Sequence, residues 1–338
     1  ALHFAAAEQE AQALRYAVAA GERSLEKLGF ENAASMFGLA LRFEKGEAAR
    51  HRLELRLAEA LANAGRGKDS ADVYLRAAPQ LDELSAIDVR RRAGEQLLRA
   101  GHVEQGTQIL FHLLRQLGLS APRWDFTIFL SLLWALIRIK LRGVVPARRS
   151  GPVSGRERLR LDVCWTVATG LSVVHHLRAT EFQARTLLLA LEAGDTERII
   201  RCSALLGTLL GMAGGPTGKL AASLRASARQ LAGECPSDEN TAWLELTEGV
   251  ASMGDWRFEA CERLCQRAEA TLRTRCTGAA WEIVTAQAFG LWSTAFRGNL
   301  RQAANRLPEL MASARSRGDR NAETSLILSP LHLIGLGL

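Results

Sequence analysis

Apolar residues recur along this chain at the spacing of an α-helix. They stand three and four positions apart in many stretches, one of which contains Leu53, Leu57, Ala60, Leu61 and Ala64. The sequence has no Asn-Gly or Asp-Gly dipeptide and no alternating β-branched run, so the main signals of β-hairpins are missing. The pattern predicts an all-α protein whose helices end near glycines, at Gly65, Gly101, Gly194, Gly233, Gly298 and Gly318.

A triplet recurs within these helices: a small residue, a residue four positions later that is usually apolar, and a third residue three positions further on. It occurs seven times, at Ala33/Phe37/Ala40, Ser70/Tyr74/Ala77, Gly106/Leu110/Leu113, Ala184/Leu188/Leu191, Ala222/Ala226/Arg229, Ala260/Leu264/Arg267 and Ala303/Leu307/Leu310. The small residue lets a second, antiparallel helix approach closely, and such a pair buries its apolar stripe only by stacking on neighbours. The period predicts a tetratricopeptide-like α-solenoid of stacked antiparallel helix pairs. An irregular helical bundle with chance spacing is the alternative.

The period is interrupted once, and the interruption suggests three regions. We expect N-terminal helical repeats at 1–119, an insertion at 120–160 made of an apolar helix and a basic loop, and C-terminal helical repeats at 161–338. The chain begins without Met and stops inside an apolar stretch, so we interpret it as a piece of a longer protein.

The insertion contains an unusually apolar segment. Phe126–Ile137 has no charged residue, yet it is too short to reach the ~20 residues that a bilayer span needs. We expect a helix wedged between neighbouring helices, with a groove on a partner and a membrane surface as alternatives. The polar residues align on one side of this helix, at Thr127, Ser131, Arg138 and Arg142.

Charge changes the picture mainly at the insertion. Hydrophobic residues make up 48% of the chain, which excludes a disordered protein, and the net charge is only +7. Much of that excess lies in seven arginines that are candidate contacts to a partner or an anionic surface: Arg138, Arg142, Arg148, Arg149, Arg156, Arg158 and Arg160. The basic run holds no aromatic residue, so nucleic acid is not the expected partner. A solvated loop or an acidic patch on a partner protein accounts for it better.

No motif in the chain predicts catalysis. Gly211–Lys219 resembles a phosphate-binding loop only superficially, because Ala213 stands where the first glycine is needed and Leu220 replaces the hydroxyl residue. His175 and His176 are adjacent, so on a helix they point about 100° apart and cannot share one metal ion. We expect no catalytic, cofactor or metal site in this segment.

The cysteines and the first residues bear on cellular context. Six Cys are scattered over the chain, which is not a disulfide framework, and we expect buried free thiols that pack as small apolar residues. The first residues lack a basic start followed by an apolar run, so we expect no signal peptide and a cytoplasmic protein.

Several strings together resemble the C-terminal region of multidomain bacterial serine/threonine protein kinases, in which tetratricopeptide-like repeats follow a kinase domain and a STAND/AAA-type ATPase module. The strings are Arg15-Tyr-Ala-Val-Ala-Ala-Gly-Glu-Arg with Leu28 to Leu41, Trp165-Thr-Val-Ala-Thr-Gly-Leu-Ser-Val-Val, Phe182-Gln-Ala-Arg-Thr-Leu-Leu-Leu-Ala-Leu, and Cys276-Thr-Gly-Ala-Ala-Trp-Glu with Thr285-Ala-Gln.

The resemblance implies that kinase and ATPase residues lie upstream of this segment. The repeats would then bind protein partners as a sensor or scaffold and regulate the upstream kinase and ATPase. Alternatives are the protein-binding arm of a STAND-type transcriptional activator, a stand-alone scaffold, or an enzyme with an unrecognised helical active site.

Overall fold

The structure is a computed structural model that describes most of the chain, namely residues 2–7, 9–27, 29–122, 124–146, 153–172, 174–276, 278–316 and 319–327. Within these ranges the chain forms α-helices and two short 3-10 turns, and it has no strand. The predicted all-α class is confirmed. The chain divides into two compact units, Ala1–Leu113 with Ala314–Asn321 and Leu114–Ser313 with Ala322–Leu338.

The first unit is built mainly from seven helices of the described residues, the last of which crosses its boundary: α1 (Leu2–Ala6), α2 (Glu10–Glu26), α3 (Phe30–Phe43), α4 (Glu47–Asn63), α5 (Gly67–Ala77), α6 (Glu83–Arg99) and α7 (Val103–Gln116). Each helix from α2 to α5 packs against the next one along the chain. Their apolar stripes form one core around Phe37, Leu61 and Tyr74, all of which are buried.

Small residues allow the helices of this unit to approach closely. A Cβ added to Gly94 on α6 would lie 2.9 Å from Leu110 Cγ on α7, and one added to Gly106 on α7 would lie 2.8 Å from Leu98 Cγ on α6. The two contacts progress in opposite directions along the helices, so α6 and α7 run antiparallel. Between α4 and α5, the Ser70 hydroxyl donates a hydrogen bond of 2.8 Å to a main-chain carbonyl of α4.

The second unit holds the other ten helices of the described residues, of which the last two cross its boundary: α8 (Asp125–Arg142), α9 (Gly155–Gly170), α10 (His176–Ala193), α11 (Thr196–Ala213), α12 (Gly218–Glu234), α13 (Asp238–Gly254), α14 (Phe258–Arg275), α15 (Ala280–Phe296), α16 (Leu300–Ser316) and α17 (Arg320–Ile327). Helices α8 and α9 both pack on α10, and α10 packs on α11. From α11 onward, alternate helices also touch, as α11 does with α13 and α13 with α15.

Side chains join these alternate helices. Thr208 on α11 donates to the Thr247 carbonyl of α13 at 3.0 Å, and the Trp243 indole N–H of α13 donates to the Arg201 carbonyl of α11 at 3.0 Å. Both donor side chains are buried in the unit, where an unpaired donor would destabilise the fold. The bonds therefore fix the spacing of α11 and α13.

Two tryptophans of the family-like strings take part in the same core. The Trp165 ring lies 5.5 Å from the ring of Trp243, and the Trp281 ring lies 6.0 Å from the same ring. Trp243 itself is 3% exposed. These strings therefore have a packing role in this chain.

Five of the seven predicted triplets are buried, namely those that begin at Ala33, Ser70, Gly106, Ala184 and Ala303. Leu310 is the one residue of these five triplets that is half-exposed. The prediction on α12 was wrong by one residue. Ala222 and Ala226 are exposed there, whereas Ala221 and Ala228 are buried. The face of α12 that meets α11 is the one through Ala221, whose carbonyl lies 2.9 Å from the position of a Cβ on Gly207.

The prediction on α14 was also wrong by one residue. The buried triplet begins at Cys261 and not at Ala260, because a thiol fills the small position as well as a methyl group does. A Cβ on Gly249 of α13 would lie 2.9 Å from Cys265 Sγ, so here too a glycine faces the small-residue stripe of the next helix.

The turns between helices use glycines in a left-handed conformation. Positive φ values confirm this prediction at four positions, Gly65, Gly101, Gly194 and Gly298. Gly233 lies inside α12, so that prediction was wrong, and Gly318 falls outside the described residues. At the turn from α13 to α14 the left-handed position is held by Trp256, at φ 60°.

Candidate functional site

Helix α8 begins and ends at clear local signals. Its first turn is closed by Thr127, whose hydroxyl donates to the Trp124 carbonyl at 2.7 Å and accepts from the Trp124 N–H at 3.2 Å. It ends before Gly143, which has a φ of 71°. The 18 residues between these signals make a helix about 27 Å long.

One stripe of α8 is buried. Ile128, Leu132, Ala135 and Ile139 stand three and four positions apart, and the last three join the main apolar cluster of the second unit. The cluster includes α10 residues, so α8 is fastened to α10 along its length.

The polar side of α8 also faces α10. Ser131 donates to Glu181 Oε1 at 2.7 Å, Arg138 pairs with Glu192 at 3.1 Å, and Arg142 donates to a main-chain carbonyl near the end of α10 at 2.9 Å. Arg138 and Arg142, two of the predicted partner contacts, are thus engaged within this chain. Sequence alone could not show this, because their acceptors lie about fifty positions away.

A buried ion pair lies beneath this seam. Glu181 is 1% exposed, and its Oε1 is paired with the Arg185 guanidinium, which also sits 5.0 Å above the centre of the Phe182 ring. Arg185 reaches further to the Ser120 carbonyl in the segment before α8. Glu181 Oε2 has no hydrogen-bond partner among the described residues. The pair fixes α10 to the segment that leads into α8.

The opposite side of α8 is apolar and exposed. We call it the outward face, and it consists of Phe126, Leu130, Leu133, Trp134, Ile137 and Leu141. The exposed fractions run from 40% at Ile137 to 82% at Leu141. Lys140 lies at its edge near the end of the helix, and Asp125 lies on the same flank at the start. The prediction that this helix is wedged between neighbours was wrong, because α10 covers one side and no described residue covers the other.

The size of this surface sets it apart. Three further large apolar side chains on α8 or next to its ends, Trp124, Phe129 and Val145, are each at least half exposed. If a large apolar side chain has about 150–250 Å² of surface, the nine exposed fractions amount to roughly 1,000 Å². The largest apolar patch on an ordinary monomer is about 300–600 Å². The outward face therefore has the character of a contact surface.

The other predicted basic contacts lie on or before α9. Arg156 donates to the Gln116 carbonyl at 2.8 Å, Arg158 is exposed, and Arg160 is half-buried with its Nε unpartnered among the described residues. Arg148 and Arg149 lie outside the described residues. The described members of the basic set are therefore divided between α8 and α9, and Arg138, Arg142 and Arg156 are already bonded within the chain.

A second exposed surface lies at the turn from α13 to α14, and the sequence analysis missed it. Trp256 is 78% exposed, its ring meets Phe258 edge-on at 5.9 Å, and Phe258 stacks on Phe296 at 5.0 Å. The Trp256 and Phe258 rings, together with Arg263 and Arg297, line a shallow cavity of about 550 Å³. The signal in the sequence was a tryptophan where the other turns carry glycine.

An adjoining cavity of about 290 Å³ is lined by charged side chains of α12, α13 and α14. Its two acids are already paired, Glu248 with Arg229 and Asp255 with Arg257. The described lining contains one hydroxyl residue, Ser252, and no cysteine or histidine.

Two buried thiols, Cys164 and Cys202, and the imidazole of His175 contribute to packing and helix capping. Burial raises the pKa of the Cys164 thiol to about 12 and raises that of Cys202 as well, and thiols held protonated in this way are poor nucleophiles. His175 caps α10, since its Nδ1 accepts from the Arg178 N–H at 3.5 Å, and its Nε2 lies 3.3 Å from an Asp125 oxygen. In the described parts of the chain no three His, Cys, Asp or Glu side chains cluster as metal ligands.

Gly211–Lys219, the superficial phosphate loop, is the turn from α11 to α12. A short 3-10 turn, Gly215–Thr217, fills it, and helices stand on both sides. The Thr217 hydroxyl donates to the Leu210 carbonyl at 3.1 Å. The expected turn between two helices is confirmed.

No helix in the described ranges combines the length and the apolar character that a bilayer crossing requires. No protein-family model matches this chain. No curated protein matches it either. The candidate site is therefore defined by its own geometry, the outward face of α8 on its α10 support.

Proposed function

We propose that this chain is a non-catalytic, tetratricopeptide-like α-solenoid that acts as a protein-binding sensor or scaffold. We further propose that it belongs to a bacterial signalling serine/threonine kinase with a STAND/AAA-type ATPase module, whose activity it regulates. The observation that carries the binding role is the outward face of α8, an apolar surface that none of the described residues covers.

The contacts between alternate helices support the solenoid. In a stacked array of helix pairs, the first helix of each pair touches the first helix of the next. Helix α11 does so with α13, and ion pairs join α9 to α11 (Arg198 with Asp162) and α11 to α13 (Arg201 with Glu239). The recurrent glycines at the crossings of successive helices are the packing that the triplet period predicts.

A physical route to regulation follows from such an array. Each pair contacts only its neighbours, so the array bends more readily than a compact core. A partner that binds one curvature more tightly shifts the population toward it, and a module attached to the array experiences that shift. A tenfold change in upstream activity needs a difference in binding free energy of about 1.4 kcal/mol between the two states.

Binding between separate proteins tests this proposal. The kinase and ATPase modules of the parent chain are purified, and this chain is added to them in solution. We expect saturable binding by calorimetry and at least a severalfold change in phosphorylation or ATP hydrolysis. Absence of both effects would contradict the regulatory role. ATP turnover by this chain alone would contradict the non-catalytic assignment, and a DNA-binding module upstream would favour the transcriptional activator.

A further inference from the structure

We infer that the outward face of α8 binds the same face of a second copy of this chain, as an antiparallel α8–α8 pair about a two-fold axis. The inference rests on the proposed function only in taking this face as a protein contact surface. It names the partner, which the proposed function leaves open.

The area fits such a pair. A stable dimer buries about 800 Å² on each subunit, and the exposed apolar side chains of α8 and its two ends offer roughly 1,000 Å². Two helices that pack face to face lie about 8–10 Å apart, which brings side chains on the outward faces into direct contact.

The pattern of the outward face is compatible with two-fold symmetry. A symmetric pair requires that position i on one helix meet position j on the other, and j meet i. Around the midpoint between Leu133 and Trp134, Leu130 is matched by Ile137, and the outer positions of the face match in the same way. Every pairing then joins two large apolar side chains.

The charges fit an antiparallel arrangement. The outward face has no charge at its centre, so two copies do not repel each other there. Lys140 lies at one end of α8, and Asp125 lies at the other end on the same flank of the helix. An antiparallel pair places the Lys140 end of each copy beside the Asp125 end of the other, whereas a parallel pair leaves these opposite charges at opposite ends of the pair.

A lipid surface fits less well. A helix that lies on a membrane carries free Lys and Arg along its polar side. Here Arg138 and Arg142 are bonded to α10, and the Asp125 side chain at the start of the helix is 77% exposed. An acidic group at the edge of the face would be repelled by anionic lipid headgroups.

The molar mass in solution tests the inference. At about 50 μM we expect light scattering after size-exclusion chromatography to give twice the mass of one chain. Leu133→Glu places a charge next to the two-fold axis in both copies, and we expect it to raise the dimer dissociation constant by about 100-fold or more. Because Leu133 is exposed in the single chain, the variant should fold normally, which circular dichroism checks.

The matched control is Leu84→Glu, which makes the same substitution at an exposed leucine of α6. It should leave the dimer intact. A wild type that is monomeric at this concentration overturns the inference, and so does a dimer that persists in Leu133→Glu or that Leu84→Glu dissociates equally.

Cross-linking tests the antiparallel register. In a chain whose exposed Cys235 is replaced by Ser, Leu133→Cys should form an intermolecular disulfide on mild oxidation, because the two copies of residue 133 lie beside the axis. Leu84→Cys should not form one. Absence of the residue-133 disulfide in a chain of dimeric mass overturns the antiparallel register.

Binding to lipid vesicles tests the alternative occupant of the outward face, a membrane surface. If the chain is monomeric and sediments with phosphatidylcholine–phosphatidylserine vesicles, and Leu133→Glu abolishes this sedimentation, the outward face binds a membrane surface and the inference of a second copy is overturned. Binding of upstream modules is measured separately, with the Leu133→Glu monomer, so failure of the dimer and failure of the proposed function are distinguishable.

Discussion

Gly106→Ala isolates the role of the small-residue positions. In an open helix the change from glycine to alanine stabilises the fold by about 1 kcal/mol. In this chain the new Cβ would lie 2.8 Å from the Gly94 carbonyl oxygen and 2.8 Å from Leu98 Cγ, closer than real Cβ contacts. A carbonyl of the facing helix cannot turn away as a side chain can, so α6 and α7 must move apart. Overpacking of this kind costs about 1–3 kcal/mol, and we expect a net loss of up to about 2 kcal/mol.

The matched control is Gly38→Ala. Gly38 also lies inside a helix, α3, but an added Cβ would meet no atom within 4 Å. We expect this variant to gain up to about 1 kcal/mol. Urea unfolding followed by circular dichroism measures both changes, and amide exchange of α6 and α7 shows whether the effect is local. Equal shifts of the two urea midpoints in the same direction would refute close helix approach as the meaning of the triplet.

Three further predictions concern the second unit. Arg185→Leu leaves Glu181 buried without its cation, so urea unfolding should show that the free energy of unfolding falls by about 3–5 kcal/mol. Replacing Glu181 by Leu as well should recover part of this loss. A loss below about 1 kcal/mol in the single variant would contradict the buried pair. Burial raises the pKa of the Cys164 thiol from 9.0 to about 12, so the unfolded chain loses this proton at a lower pH than the folded chain does. The free energy of unfolding should therefore fall as the pH rises above 9, and it should fall less steeply in Cys164→Ala. Equal pH dependence of the two proteins would contradict burial of the thiol. Trp256→Gly and Trp256→Ala both remove the ring, but only glycine adopts the left-handed conformation of this turn without strain. We expect thermal unfolding to show the Gly variant to be more stable than the Ala variant by about 1 kcal/mol. Equal stability of the two variants would argue against strain at residue 256.

The sequence was sufficient for the helical class and for most of the packing register. The triplet at Gly106 identified a close helix crossing, because only very small residues serve that purpose. It failed by one residue on α14 because the Cys261 thiol fills the small position that the triplet assigned to Ala260. It failed by one residue on α12 because Ala221 and Ala222 are both alanine, so residue size alone did not determine the register. At both places the misregistered triplet ended on an exposed arginine, Arg229 or Arg267, which was a local sign of the error.

The site was less predictable, because it depends on contacts far apart in the chain. The apolar stretch Phe126–Ile137 was recognised, but its composition is the same all round the helix, so periodicity could not show that only one side is covered. The arginines that follow were expected to face a partner. Two of them bind α10 instead, at acceptors that no local pattern connects to Arg138 or Arg142.

The one-sided attachment of α8 has an evolutionary consequence. Substitutions at Leu133 or Trp134 do not disturb the interior of a single chain, since both side chains already lie in water. Folding therefore places little constraint on these two positions, and drift would replace them with polar residues within a lineage. Large apolar residues kept at both positions across diverged sequences would be the record of selection for a bound partner.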